Sequence, residues 1–182
     1  MNRDPEIRFD THNRAFAETP FYLRQEVQFS QLQKEFSRRS DELDVTRFDL
    51  NHTLSYAGHI GNLSVTPRIG ARETFFSRDR DGDTSHVRSI VDPGLDISTR
   101  FYKTYDVFIN TWGLDYNQIR HIFQPTLSYN YRPTPTVFYN RLQTFDDIDL
   151  LDKQNFFRFG FENNFQTKQH GADGSLYSRE IA

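Results

Sequence analysis

The chain of 182 residues carries 22 Lys and Arg against 25 Asp and Glu, a formal net charge of −3 that is too even to indicate nucleic acid as a partner. It has no Cys, which excludes disulfides, thiolate metal sites and Cys nucleophiles. It also lacks a run of 18 apolar residues that could form a transmembrane helix. Only 36% of the residues are hydrophobic, yet 15% are aromatic. A sheet with one apolar and one polar face accounts for this combination.

Apolar and polar residues alternate with a period of two along most of the chain, which predicts β-strands. In chain order the alternation is weak around Ile7 and Phe9 and over residues 21–30, clear over 46–56 and 63–72, weak over 95–101, and clear over 119–131 and 157–166. Residues 104–117 break the phase, and the sequence does not place them.

The predicted strands are long, since the clear runs extend over roughly 11 residues or more, whereas strands in soluble sheets average about 5 or 6. Tilted membrane-spanning strands need about 9 to 11 residues. We therefore predict an all-β fold of antiparallel, up-and-down transmembrane β-barrel strands, a partial barrel with about six or seven long strands.

The alternation assigns each side chain to a lumen-facing or a lipid-facing position. The predicted lumen-facing residues are Arg47, Asp49, Arg68, Arg72, Arg100, Arg120, Arg158 and Glu162. The predicted lipid-facing residues are Phe48, Leu50, Leu54, Leu63, Val65, Ile69, Phe123, Leu127, Phe157, Phe159 and Phe161.

The predicted connections differ in length. The turn at Gly58 to Gly61 is short, whereas charged connections occupy residues 77–92 and 132–153. Outer-membrane barrels have short periplasmic turns and long extracellular loops, so we expect the turn on the periplasmic side and both loops outside.

Motifs for catalysis or metal binding are absent from the sequence. The spacing of Asp79, Asp81 and Asp83 suggests a calcium-binding loop. However, the glycine of this loop belongs at the sixth position, whereas Gly82 is at the fourth, and the twelfth position is Ile90 instead of Glu. There is no nucleophile elbow, dinucleotide fingerprint or phosphate loop. We therefore predict no catalytic residues, no cofactor and no metal, and we expect that the chain is not an enzyme.

Two segments resemble a known family. Residues 120–136 match one of its strands, and residues 146–168 match a loop and the strand after it. The matching residues are His121, Pro125, Tyr129 and Tyr131, followed by Asp147, Ile148, Asn155, Gly160, Asn163, Gln166, Thr167 and Lys168, with Phe161 where Leu is usual. The opening segment 4–9 is similar more loosely. On these motifs the chain resembles the C-terminal barrel half of LptD (OstA), the LPS-assembly family.

The resemblance implies a fold, a location and partners. It implies a cell outer-membrane barrel that inserts lipopolysaccharide into the outer leaflet. Its partners would be lipopolysaccharide, outer-membrane lipid, an LptE-like lipoprotein plug and an LptA-like periplasmic bridge, the last docking on a domain absent from this sequence. Residues 4–168 would be a central part of the barrel, and residues 169–182 a loop or the truncated start of a further strand.

Two alternatives stay open on the sequence. Another outer-membrane channel barrel would share the lipid-facing side but not the two family segments. A soluble periplasmic β-sandwich used as a binding module would bury the apolar face against a second sheet.

Overall fold

The computed structural model describes residues 2–35, 42–82, 84–111, 114–170 and 175–181. Within these ranges lie ten β-strands and one short 3-10 helix, Tyr139–Arg141. The strands are β1 Asn2–Ala15, β2 Phe21–Glu35, β3 Glu42–Tyr56, β4 Gly58–Ile60, β5 Leu63–Phe76, β6 His86–Ser98, β7 Phe101–Thr111, β8 Leu114–Arg132, β9 Gln154–His170 and β10 Leu176–Glu180.

The strands form a single sheet in the order β1-β2-β3-β5-β6-β8-β9-β10, with β4 paired to β5 and β7 paired to β8. This confirms the all-β, antiparallel, up-and-down prediction. The sheet is open, because β1 and β10 stand at its two ends. The predicted number of about six or seven strands was too low: β4 lies within the predicted turn at Gly58 to Gly61, the weak run over 95–101 covers the end of β6 and the start of β7, and β10 follows β9.

The chain divides into two compact units. The first unit comprises Met1–Gly58, Thr66–Leu95 and Tyr129–Phe157. The second unit comprises His59–Val65, Asp96–Ser128 and Arg158–Ala182. Each is described by itself below.

The first unit has its hydrophobic core on the face where the sequence places charges. Val45 is buried and shares the odd-numbered phase of β3 with Arg47 and Asp49. The core cluster consists of Leu32, Val45, Phe76, Leu142 and Phe145, with Val137 packed against it. Its last members come from the connection between β8 and β9, so this connection folds back and covers the polar face.

A β-bulge explains the break in alternation within residues 104–117, of which 112 and 113 lie outside the described residues. The β7–β8 register shifts between Tyr105 and Phe108, so Asp106 and Val107 together face Gln118. Gln118 has a positive φ of 63°, and its Nε2 donates a hydrogen bond to Asp106 Oδ1 at 2.9 Å. Because an inserted residue moves every later side chain to the opposite face, the period of two fails here although β7 continues.

The connections differ partly from prediction. The predicted loop 77–92 is wrong in its second half, because β6 begins at His86 and includes Arg88 and Asp92. The connection between β8 and β9 occupies residues 133–153, as expected from the sequence, and is called the long loop below. The turn between β4 and β5 has two residues, Gly61 and Asn62, with Gly61 at a φ of 58°.

Across the described ranges, no helix has the length and apolar character needed to cross a bilayer.

Candidate functional site

The predicted lumen-facing residues separate into two groups. Arg47 and Asp49 are fully buried in the first unit, and Arg68 and Arg72 are partly buried there. In the second unit the remaining side chains are exposed: Arg100, Arg120, Arg158 and Glu162. Among the described contacts, Arg72 pairs with Asp49, and Arg47 lies under the long loop.

A cluster of buried ions holds the long loop to β3. The Arg47 guanidinium donates to both carboxylate oxygens of Asp146, with Nη1 to Oδ1 at 2.8 Å and Nη2 to Oδ2 at 2.7 Å. Arg47 Nη1 also donates to Asp149 Oδ1 at 2.9 Å. Bidentate pairing of this kind fixes the direction as well as the distance of the contact.

Asp149 connects this cluster to the backbone of the loop. Its Oδ2 accepts from the amide of Phe145 at 2.8 Å and from that of Asp146 at 3.2 Å. The side chain is fully buried, and burial raises the pKa of the Asp149 carboxyl although Arg47 lies beside it.

Arg88 is a second buried arginine of the cluster, and the sequence did not single it out. Nη1 donates to the Asp149 carbonyl at 3.1 Å and Nη2 to the Ile148 carbonyl at 2.6 Å. Its guanidinium carbon lies 5.4 Å from the centre of the Phe76 ring. Its even-numbered position in β6 could have identified Arg88 as a residue of the polar face, but the predicted loop 77–92 included this position. We call Arg47, Arg88, Asp146 and Asp149 the loop clamp.

A second charged pair lies next to the clamp on the same face. Arg72 Nε donates to both oxygens of Asp49 at 3.0 Å, and Arg72 Nη2 donates to Oδ2 at 2.8 Å. Thr74 Oγ1 completes the carboxylate with a bond of 2.6 Å. Buried charges must be paired in this way to be tolerated, so the four groups of the clamp and this pair act as structural contacts.

A small polar cleft of about 170 Å³ also opens on this face, lined by Asn51, Thr53, Arg68, Gly70, Arg72, Asp92, Pro93, Asn130, Tyr131, Arg132 and Gln154. Its guanidinium groups are engaged: Arg68 bonds to Asn130, and Arg132 bonds to Asp92. A Cβ at Gly94 would lie 2.7 Å from Arg68 Cζ, so glycine leaves the space for this guanidinium.

In each unit the predicted lipid-facing residues lie on the face opposite the predicted lumen-facing residues, and most of them are exposed. Phe157, Phe159 and Phe161 expose 63%, 78% and 74% of their surface. Phe48, Leu54, Leu63 and Ile69 are also exposed, whereas Leu50, Val65, Phe123 and Leu127 are partly buried. A soluble monomer rarely exposes so many neighbouring aromatic side chains.

In each unit, aromatic rings on neighbouring strands contact one another on the apolar face. In the first unit the rings of Tyr129 and Phe157 are 4.6 Å apart, and those of Phe21 and Tyr56 are 5.1 Å apart. In the second unit His121 stacks on Phe165 at 4.4 Å, and its Nε2 lies 3.0 Å from Asn163 Oδ1. His121 is therefore held by neighbours on a face of aromatic rings.

The predicted calcium candidate is only partly described, because Asp83 lies outside the described residues. Asp79 Oδ1 accepts from the amides of Asp81 and Gly82, which is the bonding of a local turn. Within the described ranges, no group of three or more His, Asp or Glu side chains is placed to hold a metal ion.

Comparison with protein families gives one match. The model of the family LPS transport system D matches residues 2–172. No curated protein matches the sequence significantly.

Proposed function

Because the chain belongs to the LPS transport system D family and thereby has a role in LPS transport, we propose that its strands form part of the wall of an outer-membrane β-barrel. The apolar face would meet lipid, and the polar face would line the aqueous interior through which lipopolysaccharide moves to the outer leaflet. The two ends of the open sheet would pair with further strands, since unpaired edges are not tolerated in a membrane.

The distribution of exposure between the two faces carries this proposal. In the first unit Arg47 and Asp49 are buried, while Phe48 between them and Phe157 in β9 expose 40% and 63% of their surface. In water this arrangement would leave aromatic rings uncovered, whereas in a bilayer the rings face hydrocarbon and the charges face the interior. Lengths of 13 to 19 residues for β6, β8 and β9 are sufficient to cross a membrane.

The partners follow from the same arrangement. Phosphates and sugars of lipopolysaccharide would pass along the polar face, while its acyl chains remain in the lipid phase. An LptE-like lipoprotein plug would lie against the polar face. An LptA-like bridge would dock on another domain of the protein. The long loop would be extracellular and would close part of the interior from above.

Spin labelling in reconstituted bilayers tests which face meets lipid. The chain has no native Cys, so single Cys variants can be labelled specifically. Phe159→Cys and Phe161→Cys report the apolar face of β9, and Arg158→Cys and Glu162→Cys are the matched polar-face positions. Gly160 is avoided, because a Cβ there would lie 2.8 Å from Thr126 Oγ1.

The expected result is alternation along β9. Labels at 159 and 161 should collide with oxygen, which concentrates in lipid, and labels at 158 and 162 with a water-soluble nickel complex. Equal accessibility of all four labels to the nickel complex would contradict the barrel wall. Protection of 159 and 161 from both reagents would instead indicate a second sheet over the apolar face, as in a β-sandwich.

A further inference from the structure

The second unit contains an open groove of about 620 Å³ on its polar face, within the size range of small-molecule sites. It crosses β7, β8, β9 and β10, and its lining residues are Tyr102, Thr104, Gln118, Arg120, Gln166, Thr167, Lys168, Tyr177 and Ser178. The lining thus brings together two cations, five residues with hydroxyl or phenol groups and two side-chain amides, and it contains no carboxylate.

The two cations of the groove differ from the arginines of the loop clamp in their partners. Arg120 lies over the Tyr102 ring at 4.8 Å, and Lys168 Nζ donates to the neutral amide oxygen of Gln118 at 3.2 Å. In the part of the chain that the structure describes, neither forms an ion pair with a carboxylate. Both side chains are exposed, so their full charge is directed to a ligand or to water.

The groove is formed where the sheet is irregular. Gln118, which stands opposite the bulge at Asp106 and Val107, lies in the lining. On the other side of β8, the amide of Asn117 donates to Thr167 Oγ1 at 3.1 Å, and Thr167 is buried. Bulges commonly redirect side chains next to binding sites. The groove therefore lies beside the register shift between β7 and β8.

We propose that this groove binds the phosphate-bearing saccharide headgroup of a glycolipid. Arg120 and Lys168 would contact phosphate, for which Arg offers planar donors and Lys a point charge. The hydroxyls of Thr104 and Ser178 and the amide of Gln166 would contact sugar hydroxyls, since each can donate or accept. This inference rests on the proposed function and deepens it, because it names the residues that would bind the headgroup on the polar face.

Binding to the full chain in detergent tests the proposal. The probe is a deacylated glucosamine disaccharide carrying two phosphates, and its affinity is measured by calorimetry. Arg120→Gln and Lys168→Gln should each weaken binding about tenfold or more, because a hydrogen bond to a charged group contributes about 1.5–3 kcal/mol. Arg120→Lys should restore part of the affinity, since the charge returns without the planar donors.

Lys103→Gln is the matched control, because Lys103 lies on β7, one of the strands of the groove, but its side chain is over Tyr105 and outside the lining. It removes the same charge and should leave the affinity unchanged. The disaccharide without phosphates should bind at least tenfold more weakly. Unchanged affinity in both groove variants would overturn the proposal, as would an equal loss in Lys103→Gln. Competition by inorganic phosphate as effective as by the disaccharide would also overturn it, since no sugar would then be recognised.

The outcome is separable from that of the proposed function. If the labels on β9 alternate but the groove variants bind normally, only this inference fails. If the alternation is absent, the barrel wall fails whatever the binding data show.

Discussion

On the polar face of the first unit, the Arg47 guanidinium is enclosed by two carboxylates and covered by the long loop. On the polar face of the second unit, Arg120 is exposed and has an aromatic ring as its neighbour. Both residues occupy equivalent phases of alternating strands. The difference arises because residues 133–153 supply Asp146 and Asp149 to one face, while no carboxylate is among the residues that line the groove.

The comparison indicates that one alternating pattern serves two purposes. In the first unit the charged side chains of the clamp hold the long loop in place. Leu142 and Phe145 of this loop add apolar contacts with residues of the strands. In the second unit, Arg120 and Lys168 have no carboxylate partner among the described residues. The proposed role in recognition therefore falls to the groove, whereas the clamp anchors the loop.

The largest expected effect comes from removing the central arginine of the clamp. Arg47→Ala should lower the free energy of unfolding by about 3–5 kcal/mol, since it leaves buried carboxylates without their partner. Urea titration of the full chain in detergent measures this. The exposed Arg100, which bonds to Gln124, is the control, and Arg100→Ala should cost less than about 1 kcal/mol. Similar costs for both variants would show that the clamp is not a buried ion cluster.

The apolar face provides the next largest effect. Phe159→Arg should cost about 2–4 kcal/mol if the ring meets lipid near the middle of the bilayer. Folding in lipid vesicles measures it, and the neighbouring Arg158→Ser should be mild. Equal costs for the two would contradict the assignment of the faces.

A smaller effect concerns pH and a single carboxyl of the clamp. Because burial raises the pKa of Asp149, the folded state holds a proton to higher pH than the unfolded state. The contribution of this group to stability should therefore fall as pH rises from the unfolded pKa through the raised folded pKa. Asp149→Asn should remove this dependence, as measured by unfolding between acidic and neutral pH. If the stability of the wild type instead rises with pH over this range, the charge of Arg47 outweighs burial in setting the pKa of Asp149.

The smallest effect is expected in the groove. Arg120→Gln should change the free energy of unfolding by less than about 1 kcal/mol, the size of an exposed cation–π contact. The same urea titration measures it. A loss as large as that of Arg47→Ala would give Arg120 a structural role and remove the contrast between the two units.

The strands were predictable because their signal is local. The alternation at Arg47, Phe48 and Asp49 gives β3 and the phase of each side chain directly. Alternation could not predict the bulge at Asp106, because a bulge is defined by pairing with the partner strand. Gln118, which stands opposite the bulge, is not adjacent to it in sequence.

The loop clamp was outside the reach of periodicity. Arg47 and Asp149 are 102 residues apart, and neither position carries a pattern that pairs it with the other. Arg88 was missed for a related reason, because charges around β6 suggested a loop. The core on the polar face likewise required the long loop to fold back, which alternation cannot indicate.

The separation between Arg47 and Asp149 also has a kinetic consequence. Pairing closes a span of 102 residues that includes β4 to β8, and closing so large a loop is entropically unfavourable before these strands are in place. Within the long loop, by contrast, Asp149 accepts from amides only three and four residues away, so this turn can form early. We therefore expect the loop to fold as a local unit and to lock onto β3 late, which makes closure of the clamp a marker for completed assembly.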